Sequence, residues 1–128
     1  MRHMKLTRLH GDYAVARAGP ATPVPDGFLS GTGFLTVSRT EDELSLVGPT
    51  AAIIGMDIVE SGWAAFKVQG PFAFDETGIV AALSRVLAEA EIGIFVISTF
   101  DTDYILVKQE NAEAAAAAWT ADGHTVSA

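Results

Sequence analysis

Ile92-Gly93-Ile94-Phe95-Val96-Ile97-Ser98-Thr99-Phe100-Asp101-Thr102-Asp103-Tyr104-Ile105-Leu106-Val107-Lys108 reads as two strands and the turn between them. The first part is rich in Ile, Val and Phe and too short to span a membrane, which is the pattern of a buried strand. The polar break at Asp101-Thr102-Asp103 turns the chain into a second strand, so the stretch predicts a hairpin at the centre of a sheet.

On both sides the hydrophobic period changes. Ile79, Leu83, Val86, Leu87 and Ala90 recur every three or four residues and form one stripe of an α-helix, preceded by a strand over residues 63–68. After the hairpin, Asn111 is positioned to cap a helix through Ala114, Ala115, Ala118 and Trp119, which Gly123 closes before a short edge strand at residues 124–126. The order βαββαβ, with right-handed crossovers, predicts an α+β, ferredoxin-like domain: a four-stranded antiparallel sheet with both helices on one side. Alternation then turns Phe66, Val68, Ile105 and Val107 toward the helices, and Lys67, Gln69 and Lys108 away. Within the alanine run Ala114 to Ala118 the small side chains favour helix but bury little, which leaves Trp119 as the anchor.

The first half is a shortened version of the same order. Segments 6–9 and 13–18, split by Gly11-Asp12, form a hairpin or one bent strand; residues 19–33, dense in proline and glycine, form a loop with room for one turn at residues 26–30. Strands follow at residues 34–37 and 44–47, joined by the charged turn Arg39 to Glu43, and Thr50 is placed to cap a single helical turn. Helices this short cannot cover a sheet alone, so residues 1–60 are expected to lean on residues 61–128 through a continuous core or sheet.

With 128 residues and 49% apolar content the chain has enough material for a core and too much for disorder. Eight basic residues against sixteen acidic ones, a formal charge of -8, argue against nucleic-acid binding. The absence of cysteine excludes disulfides and thiolate chemistry. No apolar leader follows Met1, so a cytoplasmic protein without membrane partners is expected; Met4 offers an alternative start.

Three stretches are candidates for function. The loop 70–79 carries Asp75, Thr77, Gly78 and Ile79 at a helix start, where backbone N–H groups and the helix dipole attract an anion, unless Asp75 or Thr77 simply caps the helix. The bend with Ser98, Thr99, Asp101, Thr102 and Asp103 can hold an ammonium group, or can be a turn closed by its own side chains. Arg39, among Glu41, Asp42 and Glu43, reads as a surface ion network or a turn. No motif for a metal, a cofactor or a nucleophile occurs, and His3, His10 and His124 are scattered. A Ser98, His124, Asp101 triad is conceivable only if the fold assembles it.

Val68-Gln69-Gly70-Pro71-Phe72-Ala73-Phe74, Thr77 to Leu83, Leu87 to Ala90 and above all Ser98-Thr99-Phe100-Asp101-Thr102-Asp103-Tyr104 resemble the ACT-domain family, found in small bacterial proteins and in the cytosolic arginine sensors of animal cells. Ser38-Arg39-Thr40 and Glu43 to Val47 extend the likeness into the first half. The resemblance implies two tandem ACT units, the first abbreviated, in a homodimeric amino-acid sensor without chemistry of its own. It also implies a zwitterionic ligand held between the loop at Asp75, Thr77, Gly78 and Ile79 and the segment from Ser98 to Asp103. Two positions depart from the family pattern: Gly27-Phe28 stands where relatives carry tryptophan, and Glu91 where they carry glycine. The alternatives from other classes are a protein-binding adaptor using Phe95, Ile97 and Tyr104 on an exposed sheet face, and a small hydrolase using Ser98.

Overall fold

The computed structural model describes residues 3–69 and 77–128. The chain divides into two compact units, one of residues 11–63 and one of residues 1–10 with 64–128.

The larger unit holds β1 (Lys5–Arg8), the C-terminal half of β5 (Ile58–Val68), α1 (Ile79–Glu89), β6 (Phe95–Ser98), β7 (Asp103–Lys108), α2 (Ala112–Ala121) and β8 (Thr125–Ser127). Its core joins Phe66, Val68, Ile105 and Val107 to Leu83, Val86 and Leu87 of α1 and to Ala112, Ala115 and Trp119 of α2. The inward face is the one that alternation predicts, and both helices lie on it. Trp119 is fully buried, donates from Nε1 to the Leu83 carbonyl at 3.1 Å and packs edge-on against Phe66 at 5.1 Å between ring centroids. The anchor thus fills core volume and satisfies its one polar atom.

One element differs from the expected four-stranded antiparallel sheet. The described strands of this unit run β6-β7-β5-β1-β8, with β1 inserted between β5 and β8. It pairs antiparallel with β5, Leu6 opposite Val68, and parallel with β8, Leu6 opposite Val126. β8 still runs antiparallel to β5, as expected, since β1 opposes β5 and runs in the same direction as β8. The inserted strand adds Met4 and Leu6 to the helix-covered core, which rewards its pairing there. Segments 6–9 and 13–18 do not form a hairpin with each other; both strands run antiparallel to β5.

Both helices end in the same way. At α2, Gly123 adopts φ 94°, its N–H reaches the Thr120 carbonyl at 3.0 Å and that of His124 reaches Trp119 at 3.0 Å, a Schellman closure. At α1, Glu91 takes the left-handed position at φ 59°, with Glu91 and Ile92 bonded back to Ala88 and Leu87. Glu91 therefore carries the steric strain of a conformation that glycine adopts freely. The start of α2 differs from expectation: Asn111 is at the N-cap position but makes no side-chain cap bond, because a 3-10 turn over Gln109–Asn111 leads into the helix.

The smaller unit holds β2 (Tyr13–Ala18), β3 (Thr36–Arg39), β4 (Leu44–Pro49) and the N-terminal half of β5, in the order β3-β4-β2-β5 and all antiparallel. Single 3-10 turns at Phe28–Ser30 and Thr50–Ala52 stand where the larger unit has helices. Its separate core is Ala14, Ala16, Phe28, Leu44, Leu46 and Ile53. Thr50 does not cap its turn. Its hydroxyl donates to Asp12 Oδ2 at 2.6 Å, and the same oxygen accepts Gly62 N–H at 3.0 Å where β5 bulges against β2.

Candidate functional site

The hairpin bend is built by its own side chains. Thr99 N–H donates to the Thr102 carbonyl at 2.8 Å, the Thr99 hydroxyl donates to the same carbonyl at 3.1 Å, and Thr102 N–H returns to Thr99 Oγ1 at 3.3 Å. Ser98 Oγ donates to Asp103 Oδ1 across the last cross-strand pair of β6 and β7. The turn reading of this stretch is thereby met, and the Ser98 and Thr99 hydroxyls serve the bend itself.

Thr102 does more than close the turn. It is 6% exposed, and its hydroxyl donates to the Val68 carbonyl, the last residue of β5. The bend is therefore fastened to the strand end from which the chain departs toward α1. Asp101, by contrast, is exposed, and the Asp103 carboxylate is half-buried. The polar surface left at the bend is acidic, with no lysine or arginine between residues 98 and 103.

Asp75 lies outside the described residues. Thr77 is exposed and is not the N-cap of α1; Gly78 is, with φ 82° and no side-chain cap bond, and Ile79 is the first helical residue. Among the described residues a Cβ added to Gly78 would meet nothing within 4 Å, and the first turn contains no acidic side chain. The start of α1 thus offers backbone N–H groups in an open setting that favours negative charge. An acidic bend and an open helix start, at the two ends of the same strand-to-helix passage, are complementary in sign to the two ends of a zwitterion.

Ser98, His124 and Asp101 do not form a triad. Ser98 ends the edge strand β6, and His124 precedes β8 at the opposite edge, four strand spacings or roughly 19 Å away. His124 is buried and its Nδ1 already accepts Met4 N–H at 2.9 Å. Among the described residues no group of three His, Cys, Asp or Glu side chains is placed to hold a metal.

Arg39 corrects a further expectation. Its guanidinium donates to the carbonyls of Pro20 and Thr22, at 2.8 Å for Thr22, and so clamps the proline-rich loop in place of an ion network with the nearby acids. The turn after it is closed by Thr40 Oγ1, which accepts Asp42 and Glu43 N–H at 3.1 Å each. Phe95, Ile97 and Tyr104 are half-buried, and Leu106 on the same face is fully buried, so they do not form the exposed apolar face that an adaptor requires. Among the described residues no helix is long and apolar enough to cross a membrane.

Comparison with known proteins gives these features a context. The family model described as ACT domain matches residues 58–119, and a second model, for an N-terminal domain, matches residues 11–54. A crystal structure of a protein from Agrobacterium tumefaciens is 42% identical, with a TM-score of 0.89 over 98% of this chain and 93% of that one. A Vibrio cholerae protein of unknown function shares the fold at 21% identity and a TM-score of 0.69, over 92% of this chain and 88% of that one. The human cytosolic arginine sensor for mTORC1 subunit 1 is 43% identical over 49 residues, which are 38% of this chain but 15% of the sensor.

Proposed function

We propose that this chain, whose residues 58–119 match the ACT-domain model, is an amino-acid-binding regulatory protein whose ligand sits between the start of α1 and the bend of residues 99–102. ACT domains are regulatory modules without catalysis of their own. In the proposed site the ligand's carboxylate meets the N–H groups at Thr77, Gly78 and Ile79, with Asp75 preceding them in sequence. Its ammonium meets Asp101 and Asp103, on a bend shaped by Ser98, Thr99 and Thr102. The observation that carries this reading is the Thr102 bond to Val68, which holds the acidic bend at the strand end leading to the helix start.

Two extensions belong to the same reading. The boundary near residue 60 separates two ACT-type units, an abbreviated one of residues 11–63 and a fuller one of residues 64–128 with residues 1–10; the matching order of strand, turn, strand, strand, turn in residues 13–52 supports this. The protein is a cytoplasmic homodimer, consistent with β6, an edge strand whose residues Phe95, Val96, Ile97 and Ser98 include neither charge nor proline. Its charge of -8 speaks against nucleic acid as a partner.

A thermal-shift panel of the twenty amino acids tests the proposal. A ligand that binds only the folded state at about 100 times its Kd adds about 2.7 kcal/mol of stability, a shift of several degrees. At least one amino acid is expected to raise the midpoint in this way. No shift at millimolar concentration for any of them, with folded protein verified by circular dichroism, contradicts the sensor reading.

A further inference from the structure

The turn that follows α2 meets the beginning of β1 around a histidine with no role in the proposed ligand site. The His124 side chain has no exposed surface, and its Nδ1 accepts Met4 N–H at 2.9 Å. A ring nitrogen that accepts carries no hydrogen, so the neutral ring has its proton on Nε2. That atom lies 3.3 Å from Asp122 Oδ2, off the line of a good hydrogen bond. The next residue, Thr125, donates its N–H to the Met4 carbonyl at 2.9 Å. Residues 124 and 125 thus hold both the amide and the carbonyl of Met4.

The charged and titratable groups around the ring come from three elements. From the β1 side comes His3, edge-on at 6.3 Å between centroids. The turn after α2 supplies Asp122, whose Oδ2 is also 3.6 Å from Arg85 Nη2 on α1. Arg85 in turn pairs with Glu89 at 3.1 Å. Asp122 is therefore shared between a permanent cation and the imidazole.

We propose that His124 is a proton-operated latch on β1. A proton taken from solvent forms an Nδ1–H bond, and the ring's only acceptor becomes a donor facing the Met4 N–H. The Met4 hydrogen bond breaks, since two donors cannot share it. The charge gained is held by Asp122, so the imidazolium stays with the α2 turn and the start of β1 is the part released. Since β1 separates β5 from β8, the release acts on an interior strand of the sheet.

The test is nuclear magnetic resonance of the full chain labelled with nitrogen-15. At about pH 8 the His124 ring is expected as the Nε2–H tautomer. Lowering the pH to about 5 is expected to cut the hydrogen-exchange protection of the Met4 amide about tenfold as that ring takes up its proton, about the factor that loss of one hydrogen bond produces. The Ile105 amide in the β6–β7 ladder keeps its protection and serves as the internal reference. His124→Asn, which retains an acceptor near the position of Nδ1 but does not titrate, is expected to lose this pH dependence. An Nδ1–H tautomer, Met4 protection that is unchanged while the ring titrates, or the same acid response in the Asn variant overturns the latch. If the Asn variant does not fold, the wild-type tautomer and exchange profile decide the matter alone.

Discussion

The Thr102 hydroxyl donates to the carbonyl of Val68, so the tip of the β6–β7 hairpin is bonded to the end of β5, 34 residues earlier in the chain. Thr102→Val keeps the shape and removes the donor, leaving the Val68 carbonyl buried without it. A loss of about 1–3 kcal/mol in urea unfolding is expected. An unchanged midpoint would show that the bond contributes nothing to the bend.

Trp119 joins α2 to the sheet through Phe66 and to α1 through the Leu83 carbonyl. Trp119→Ala therefore removes a fully buried ring and orphans an acceptor, and is expected to destabilise by about 3–5 kcal/mol. Equilibrium unfolding with a loss below about 1 kcal/mol would remove the anchor role. Trp119→Phe, which retains most of the packing, is expected to cost less.

Glu91 adopts φ 59° at the end of α1, a conformation that glycine takes without a steric penalty. Glu91→Gly is expected to stabilise the protein by up to about 1 kcal/mol, measured as a rise in the thermal midpoint. A fall in the midpoint would mean that the Glu91 side chain makes a contribution larger than its backbone strain.

Asp101 is exposed on the bend, away from the core. Asp101→Ala is expected to abolish the response to any amino acid found in the thermal-shift panel while changing the unliganded midpoint by the equivalent of less than about 0.5 kcal/mol. Undiminished ligand response in this variant would move the ammonium site elsewhere.

These predictions rest on features of unequal visibility in the sequence. The two helices and the inward sheet face were legible because Leu83, Val86 and Leu87 repeat at helical spacing while Phe66 and Val68 alternate. The insertion of β1 was not, since a four-residue strand has no signal for its partner and nothing in the alternation of Leu6 with its neighbours selects β5 and β8. At the candidate site, the internal bonding of the bend follows from its hydroxyl-rich composition. The burial of Thr102 does not, because the Thr102 hydroxyl finds its acceptor in Val68, distant in sequence. The open start of α1 was recognised, but Thr77 was expected as a cap where Gly78 takes that position with positive φ. The turn at Arg39 to Glu43 is legible, but the partner of the Arg39 guanidinium is not, for the same reason as with β1. The acidic neighbours of Arg39 are close in sequence, whereas the carbonyls it binds, Pro20 and Thr22, come from an earlier loop.

The most direct measurement of the central claim is amide chemical-shift mapping of the full chain during titration with the amino acid that gives the largest thermal shift. The perturbations are expected to concentrate at Thr77, Gly78 and Ile79 and at residues 98–103, with one common binding curve for both groups. Perturbation of only one group, or a map centred on other residues, would contradict a single zwitterion site formed by the helix start and the acidic bend.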